Sequence, residues 1–248
     1  MSIRIAVVDS GVNAAHPWLD GVAGGAGFEY ERGEYRLVPG AFDDLLGHGT
    51  SVASLIHAFC PQAELYAVRV ATCHHPEEWG EMQARYPRGK FPTVEPDVPE
   101  PQLAEALEWC IKQSIDIVNM SYSFEQVDGE KGPLAEVCRQ AYERGMTIVG
   151  SYKNDSDAPA YPAFFPTVIG VRRSRTLPPG RVEVLSEANK DVAGWGGPVR
   201  VAHLGERVCY CFGTSLTCPH VAAIVGRIYR AAGRVGPDRV FEYLKRIS

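Results

Sequence analysis

The sequence predicts an α/β fold built on a doubly wound, mostly parallel sheet with helices on both faces. Two observations carry this prediction. Apolar runs of strand length alternate with amphipathic runs of helical spacing from one end of the chain to the other. At 248 residues, the chain is also long enough to bury one full core.

The elements follow in order. Residues 3–8 (IRIAVV) read as a buried strand. The stretch 21–41 is irregular and fits a hairpin turning around Arg32-Gly33. Residues 50–59 (TSVASLIHAF) have helical spacing and stop before Pro61; a proline there cannot continue the backbone ladder. Residues 64–71 (ELYAVRVA) alternate as a strand does. Helical spacing returns over 101–113, with Pro101 supplying a favourable first position. Residues 115–120 (IDIVNM) form a strand, 133–144 a helix, and 147–150 and 167–171 two further strands. Helices are predicted over 216–232 and 237–246, and Cys209 and Cys211 sit on one side of a short strand before them. The segment 73–100 is rich in Pro, Glu, His and Arg and lacks periodicity. It reads as a surface insertion in an otherwise single domain spanning 1–248.

Composition narrows the function classes. Apolar residues make up 45% and charged residues 22%, and the formal net charge is −5. That balance offers no basic patch for nucleic acid and no polybasic segment for a membrane surface. No apolar run reaches the roughly 18 residues of a spanning helix. The chain opens directly on a strand, without the charged and apolar regions of a secretory leader. Its seven cysteines fall mostly inside predicted elements and fit free thiols in a reducing compartment, so a cytoplasmic location is expected.

Three short stretches carry chemistry. Asp9 follows the first strand in Asp9-Ser10-Gly11, His48 lies in Gly47-His48-Gly49-Thr50, and Ser215 lies in Gly213-Thr214-Ser215 just before a helix. The order Asp, His, Ser is one in which a nucleophilic triad is built. A serine hydroxyl needs a base to take its proton, and that base needs a carboxylate to hold its tautomer. Each residue also has a plain alternative: an Asx turn for Asp9, a turn histidine for His48 and a helix N-cap for Ser215.

The runs VVDSGVNAAHPWL, GHGTSVASLI and GTSLTCPHVAAIVG resemble the three signature blocks of the subtilisin-like serine protease family, the subtilases. DIVNMS resembles the family's substrate-binding strand. Residues 147–154 followed by YPAFFPTVIGV resemble its oxyanion block. The resemblance implies the same doubly wound fold, peptide-bond hydrolysis, and Asp9, His48 and Ser215 as the triad. It also implies Asn154 as a side-chain donor to the oxyanion, and a peptide or protein as the partner.

Where the family has glycine or small residues, the chain departs at Tyr122-Ser123-Phe124 and at Ser151-Tyr152-Lys153. In the resemblance these segments wall the pocket for the residue before the scissile bond, and Ser121, Tyr122, Ser123, Ser151, Tyr152 and Lys153 are expected to contact substrate. Bulkier walls and a lysine predict a narrow or polar pocket and restricted specificity. No cofactor and no metal site are expected. Cys218 reads as a buried helix thiol and His220 as a packing residue. Two further readings share this scaffold: an inactive peptide-binding subtilase, and an acyl transferase or macrocyclase that resolves the acyl-enzyme with an amine.

Overall fold

A computed structural model describes residues 2–32, 34–71, 98–124, 132–156 and 158–248. Strand β1 (Ile3–Asp9) is followed by the hairpin β2 (Gly24–Glu31) and β3 (Glu34–Pro39), then α1 (His48–Phe59) and β4 (Ala63–Arg69). Next come α2 (Glu100–Lys112), β5 (Ile117–Met120), α3 (Pro133–Glu143), β6 (Thr147–Ser151) and β7 (Val168–Ser174). The chain then passes through β8 (Val182–Ser186), β9 (Asp191–Trp195), β10 (Val199–Ala202) and β11 (Val208–Cys211) to α4 (Thr214–Ala232) and α5 (Gly236–Ile247).

The main sheet has nine strands in the order β3-β2-β4-β1-β5-β6-β7-β9-β8. Neighbours from β2 through β9 run parallel, and only the edge strands β3 and β8 are antiparallel. Helices therefore cover both faces, and ligand sites gather beyond the carboxyl ends of the strands.

Strand alternation decides which chemistry faces which helices. Ile3, Ile5 and Val7 of β1 enter one core with residues of α1, α4 and α5. Ala6 and Val8 enter the other, with residues of α2 and α3. Successive side chains of a strand point to opposite faces, so Asp9 shares the parity of Val7 and faces α1 and α4. Those two helices begin at His48 and Thr214. In β5 the same rule sends Ile117 to the α1/α4 side and Val118 and Met120 to the other, which aims Ser121 back toward α4.

Several expectations shift in detail. The hairpin in the irregular stretch is the antiparallel pair β2–β3, with Arg32 at φ 53 beside its turn. The strand predicted over 115–120 begins only at Ile117. Ser114 takes φ 53 there, and the Asp116 carboxylate accepts the Arg4 backbone N–H at 2.8 Å, which leaves 114–116 as a connecting turn. Strands β8, β9 and β10 were not predicted; at four or five residues each, with Gly194 inside β9, they are too short for periodicity to register. The expected insertion 73–100 lies mostly outside the described residues. At its far end Val98 is buried and α2 has already begun at Glu100.

Candidate active site

The site assembles at the carboxyl end of β1. Asp9 is fully buried. Its carboxylate accepts from Ser10 N at 2.7 Å, and its two oxygens lie 2.8 and 3.0 Å from His48 Nδ1. The imidazole is held edge-on by both oxygens, so Nδ1 carries the proton and Nε2 is left as the basic atom. Burial works against the imidazolium of His48. The Asp9 charge, its hydrogen bond and the charge of Asp44 together outweigh burial and raise the His48 pKa above its ordinary value.

Helix α1 starts where it does because Gly47 takes φ 88, a left-handed cap open to glycine. A side chain there would also collide with His203, whose ring atoms lie 2.6 to 2.9 Å from the position of a Cβ. Burial, helped by the charges of Arg207, His48 and His16, lowers the His203 pKa to about 4. This second imidazole beside His48 is therefore neutral at physiological pH.

Asp44 ties the two loops together. Its carboxylate accepts from Ser10 Oγ at 2.8 Å, Leu46 N at 2.9 Å, Gly47 N at 2.7 Å, and Thr50 N and Oγ1 at 2.8 and 2.5 Å. Ser10 Oγ in turn accepts from Gly49 N at 2.9 Å. The strand end bearing Asp9 and the helix start bearing His48 thus share one polar network. Burial raises the Asp44 pKa against the lowering effect of these bonds. Sequence reading missed Asp44, because an aspartate in a loop ahead of a helix looks like any turn residue.

Ser215 is the second residue of α4 and not its cap; the N-cap is Gly213, at φ 132. Pro219 lies one turn further on, and a proline has no N–H to bond the carbonyl four residues back. That carbonyl belongs to Ser215, and it accepts Ser121 Oγ instead, at 3.0 Å. Asn119 Nδ2 donates to the same Ser121 hydroxyl at 3.1 Å. The Ser215 hydroxyl carries no hydrogen bond among the described residues.

Asn154 reaches the same helix start. Its Oδ1 accepts Thr214 N at 2.8 Å and Thr214 Oγ1 at 3.0 Å. A backbone N–H can only donate, which fixes the oxygen toward the helix and turns Nδ2 to the other side.

The remaining expected positions divide. Tyr122 and Ser123 are half-buried beyond the end of β5, and Lys153 is half-buried in the Asn154 loop. Ser151 is buried as the last residue of β6. Tyr152 turns its side chain into the protein. It is 2% exposed and packs with Ala160, Ala163 and Phe164, and its hydroxyl donates to Asp191 Oδ1 at 2.9 Å. Gly170 makes room for it, since a Cβ there would sit 2.7 Å from the tyrosine ring. Cys218 is buried with its thiol toward the Val149 carbonyl at 3.3 Å, and burial pushes its pKa up, away from nucleophile chemistry. His220 is buried between Phe59 and Trp195, with ring centroids 3.9 and 5.6 Å away.

Six cysteines among the described residues are free. Among those residues no group of three or more ligating side chains is placed to hold a metal ion, and no helix is long and apolar enough to cross a membrane.

Comparison with known proteins fits this geometry. The family model described as the subtilase family matches residues 2–246, and the chain belongs to that family. It is 28% identical over 236 residues to the minor extracellular protease Epr of Bacillus subtilis, covering 90% of this chain and 31% of Epr. It is 26% identical over 244 residues to subtilisin E of the same organism, covering 92% of this chain and 55% of subtilisin E. The chain therefore spans about half or less of these relatives. Among solved structures, the S41 psychrophilic protease superposes with a TM-score of 0.74 at 20% identity, covering 99% of this chain and 82% of the other. The prenylagaramide maturation protease PagA gives 0.69 at 20% identity, with 97% and 80% covered. Both share the fold.

Proposed function

We propose that this subtilase is a serine endopeptidase that acts through Asp9, His48 and Ser215. Asp9 holds His48 with Nδ1–H toward the carboxylate. His48 Nε2 takes the Ser215 proton as the hydroxyl attacks the peptide carbonyl, then returns it to the leaving amine. Water resolves the acyl-enzyme by the same route in reverse. Asn154 Nδ2 and the Ser215 backbone N–H receive the oxyanion. The observation that carries this reading is the 2.8 Å contact between a fully buried carboxylate and His48 Nδ1, at the sheet end where α4 begins.

The pH dependence follows from the raised His48 pKa. Only the neutral imidazole accepts a proton, so activity falls as pH drops through that value. The acid limb of kcat/KM is expected to have its midpoint above about 6.5, the unperturbed histidine value. A midpoint below it contradicts the assigned base.

The reading includes restricted specificity, suited to processing a peptide or precursor. Lys153, half-buried in the Asn154 loop, supports a preference for an acidic or polar residue before the scissile bond. A peptide library resolved by mass spectrometry tests both reaction and specificity. Product pairs whose masses sum to substrate plus water are expected, cut after acidic or polar residues. A clear preference for Phe or Leu contradicts the specificity, and products of unchanged total mass identify cyclisation. The free cysteines support a reducing compartment as the site of action.

A further inference from the structure

On the reading that Asn154 is the oxyanion donor, we propose that Arg173, assisted by Arg172, is a positioning residue that sets where the Asn154 side chain stands.

The Asn154 loop lies beyond the last residue pair of β6 and β7, Ser151 with Val171. Strand β7 continues past that point, pairing Arg172 to Ser174 with β9 on its other side. Its two arginines turn back across the open edge onto the loop. Arg173 Nη2 donates to both carboxylate oxygens of Asp155, at 2.6 and 2.5 Å. Arg172 Nη1 donates to the Ser156 carbonyl at 2.7 Å. Two consecutive residues after Asn154 are therefore each held by one guanidinium.

The arginines are themselves held. The Arg173 side chain is 12% exposed, and Gly196 keeps the space over its stem clear, since a Cβ there would sit 2.5 Å from Arg173 Cβ. The Arg172 guanidinium carbon lies 3.7 Å from the centre of the Tyr152 ring, and that tyrosine is anchored on Asp191. Arg175 is 3.6 Å from Asp155 and mostly exposed, an accessory contact.

The need for such a clamp comes from the backbone. Asp155 takes φ 53, a conformation aspartate tolerates at a cost. On the other side, Asn154 Oδ1 is fixed to Thr214. The loop is thus stretched between the first residue of α4 and two guanidinium groups of β7, and Nδ2 points where those anchors leave it. An oxyanion donor acts only within a few tenths of an ångström of its place, and a misplacement near 1 Å costs on the order of a hundredfold in rate.

The test is a kinetic cycle on the intact protein. Arg173→Gln is expected to lower kcat about tenfold or more with KM within about twofold, because the charged tether is lost while the peptide-binding strand is untouched. Arg173→Lys restores part of the rate through a single ion pair. Arg175→Gln leaves kcat unchanged. In an Asn154→Ala background, Arg173→Gln has no further effect, because the group it positions is gone. Full loss in that background, or an unchanged kcat in Arg173→Gln alone, overturns the proposal. A second readout is independent of turnover: hydrogen exchange of the Thr214 N–H, bonded to Asn154, speeds up in Arg173→Gln if the clamp operates, and unchanged exchange overturns it. A wild-type protein that cleaves no peptide contradicts the endopeptidase reading, while the exchange measurement still decides the clamp.

Discussion

Replacing Asp9 by asparagine is expected to lower kcat about ten-thousandfold while the protein stays folded. The carboxylate accepts from Ser10 N and from His48 Nδ1, so both neighbours present hydrogens to it. An amide of the same shape can keep only one acceptor. Oδ1 accepts from both donors, so the retained oxygen stays there and the NH2 takes the Oδ2 place, 3.0 Å from His48 Nδ1. The imidazole responds by moving its proton to Nε2, and the atom that must accept the Ser215 proton becomes a donor. The variant removes a charge from a fully buried site without opening a cavity, so thermal stability changes little beside activity. The Asp9 charge also does the most to hold the His48 pKa up against burial. Residual activity therefore has its acid limb shifted to lower pH. A variant with wild-type kcat removes Asp9 from the mechanism.

The second large effect is expected from Gly49→Ala, a change that helix propensity alone favours by about 1 kcal/mol. Gly49 lies in the first turn of α1, where alanine is intrinsically the better residue. Its Cβ, however, would stand 2.0 Å from the Gly11 carbonyl oxygen and 3.2 Å from Asp9 Cβ. Gly11 cannot retreat: it takes φ 101, and its own added Cβ would meet the Asp43 carbonyl at 2.4 Å. Backbone is packed on backbone between the two loops that carry Asp9 and His48. The methyl group can be accommodated only by moving the start of α1 away from the end of β1, which opens the 2.8 Å contact. We expect a loss of about 1–3 kcal/mol from overpacking, a melting temperature several degrees lower, and a fall in kcat of about a hundredfold. Calorimetry and steady-state kinetics check both parts. Wild-type values in both contradict the close approach.

The three proposed triad positions were legible because each is announced locally: a strand ends at Asp9, glycines flank His48, and a glycine stands two residues before Ser215. Asn154 was reached only through the family resemblance, since its own turn composition points to nothing more than a loop. The alternation of β1 then accounts for the shared face of Asp9 and the helices that follow. What was not legible depends on residues distant in sequence. The Tyr152 ring is buried because Gly170, eighteen positions later, has no Cβ, and because Asp191 accepts its hydroxyl. The resemblance, which placed Tyr152 among the expected substrate contacts, carries no sign of these two partners. Asp44 gains its importance by joining Ser10, thirty-four positions earlier, to donors of its own loop and the start of α1. Arg172 and Arg173 look like solvent-facing charges at a strand end until the Asn154 loop is laid across them.

Proteolysis by this chain requires above all a histidine that removes a proton from one particular serine. A fluorophosphonate probe followed by tryptic mapping measures this directly, because it reacts with a serine only when a neighbouring base activates it. A single adduct is expected, on Ser215 in the peptide that follows Arg207. The adduct should be abolished in His48→Ala and should form faster as pH rises through the His48 titration. Absence of any adduct, or an adduct at Ser215 that persists undiminished without His48, contradicts this proton transfer.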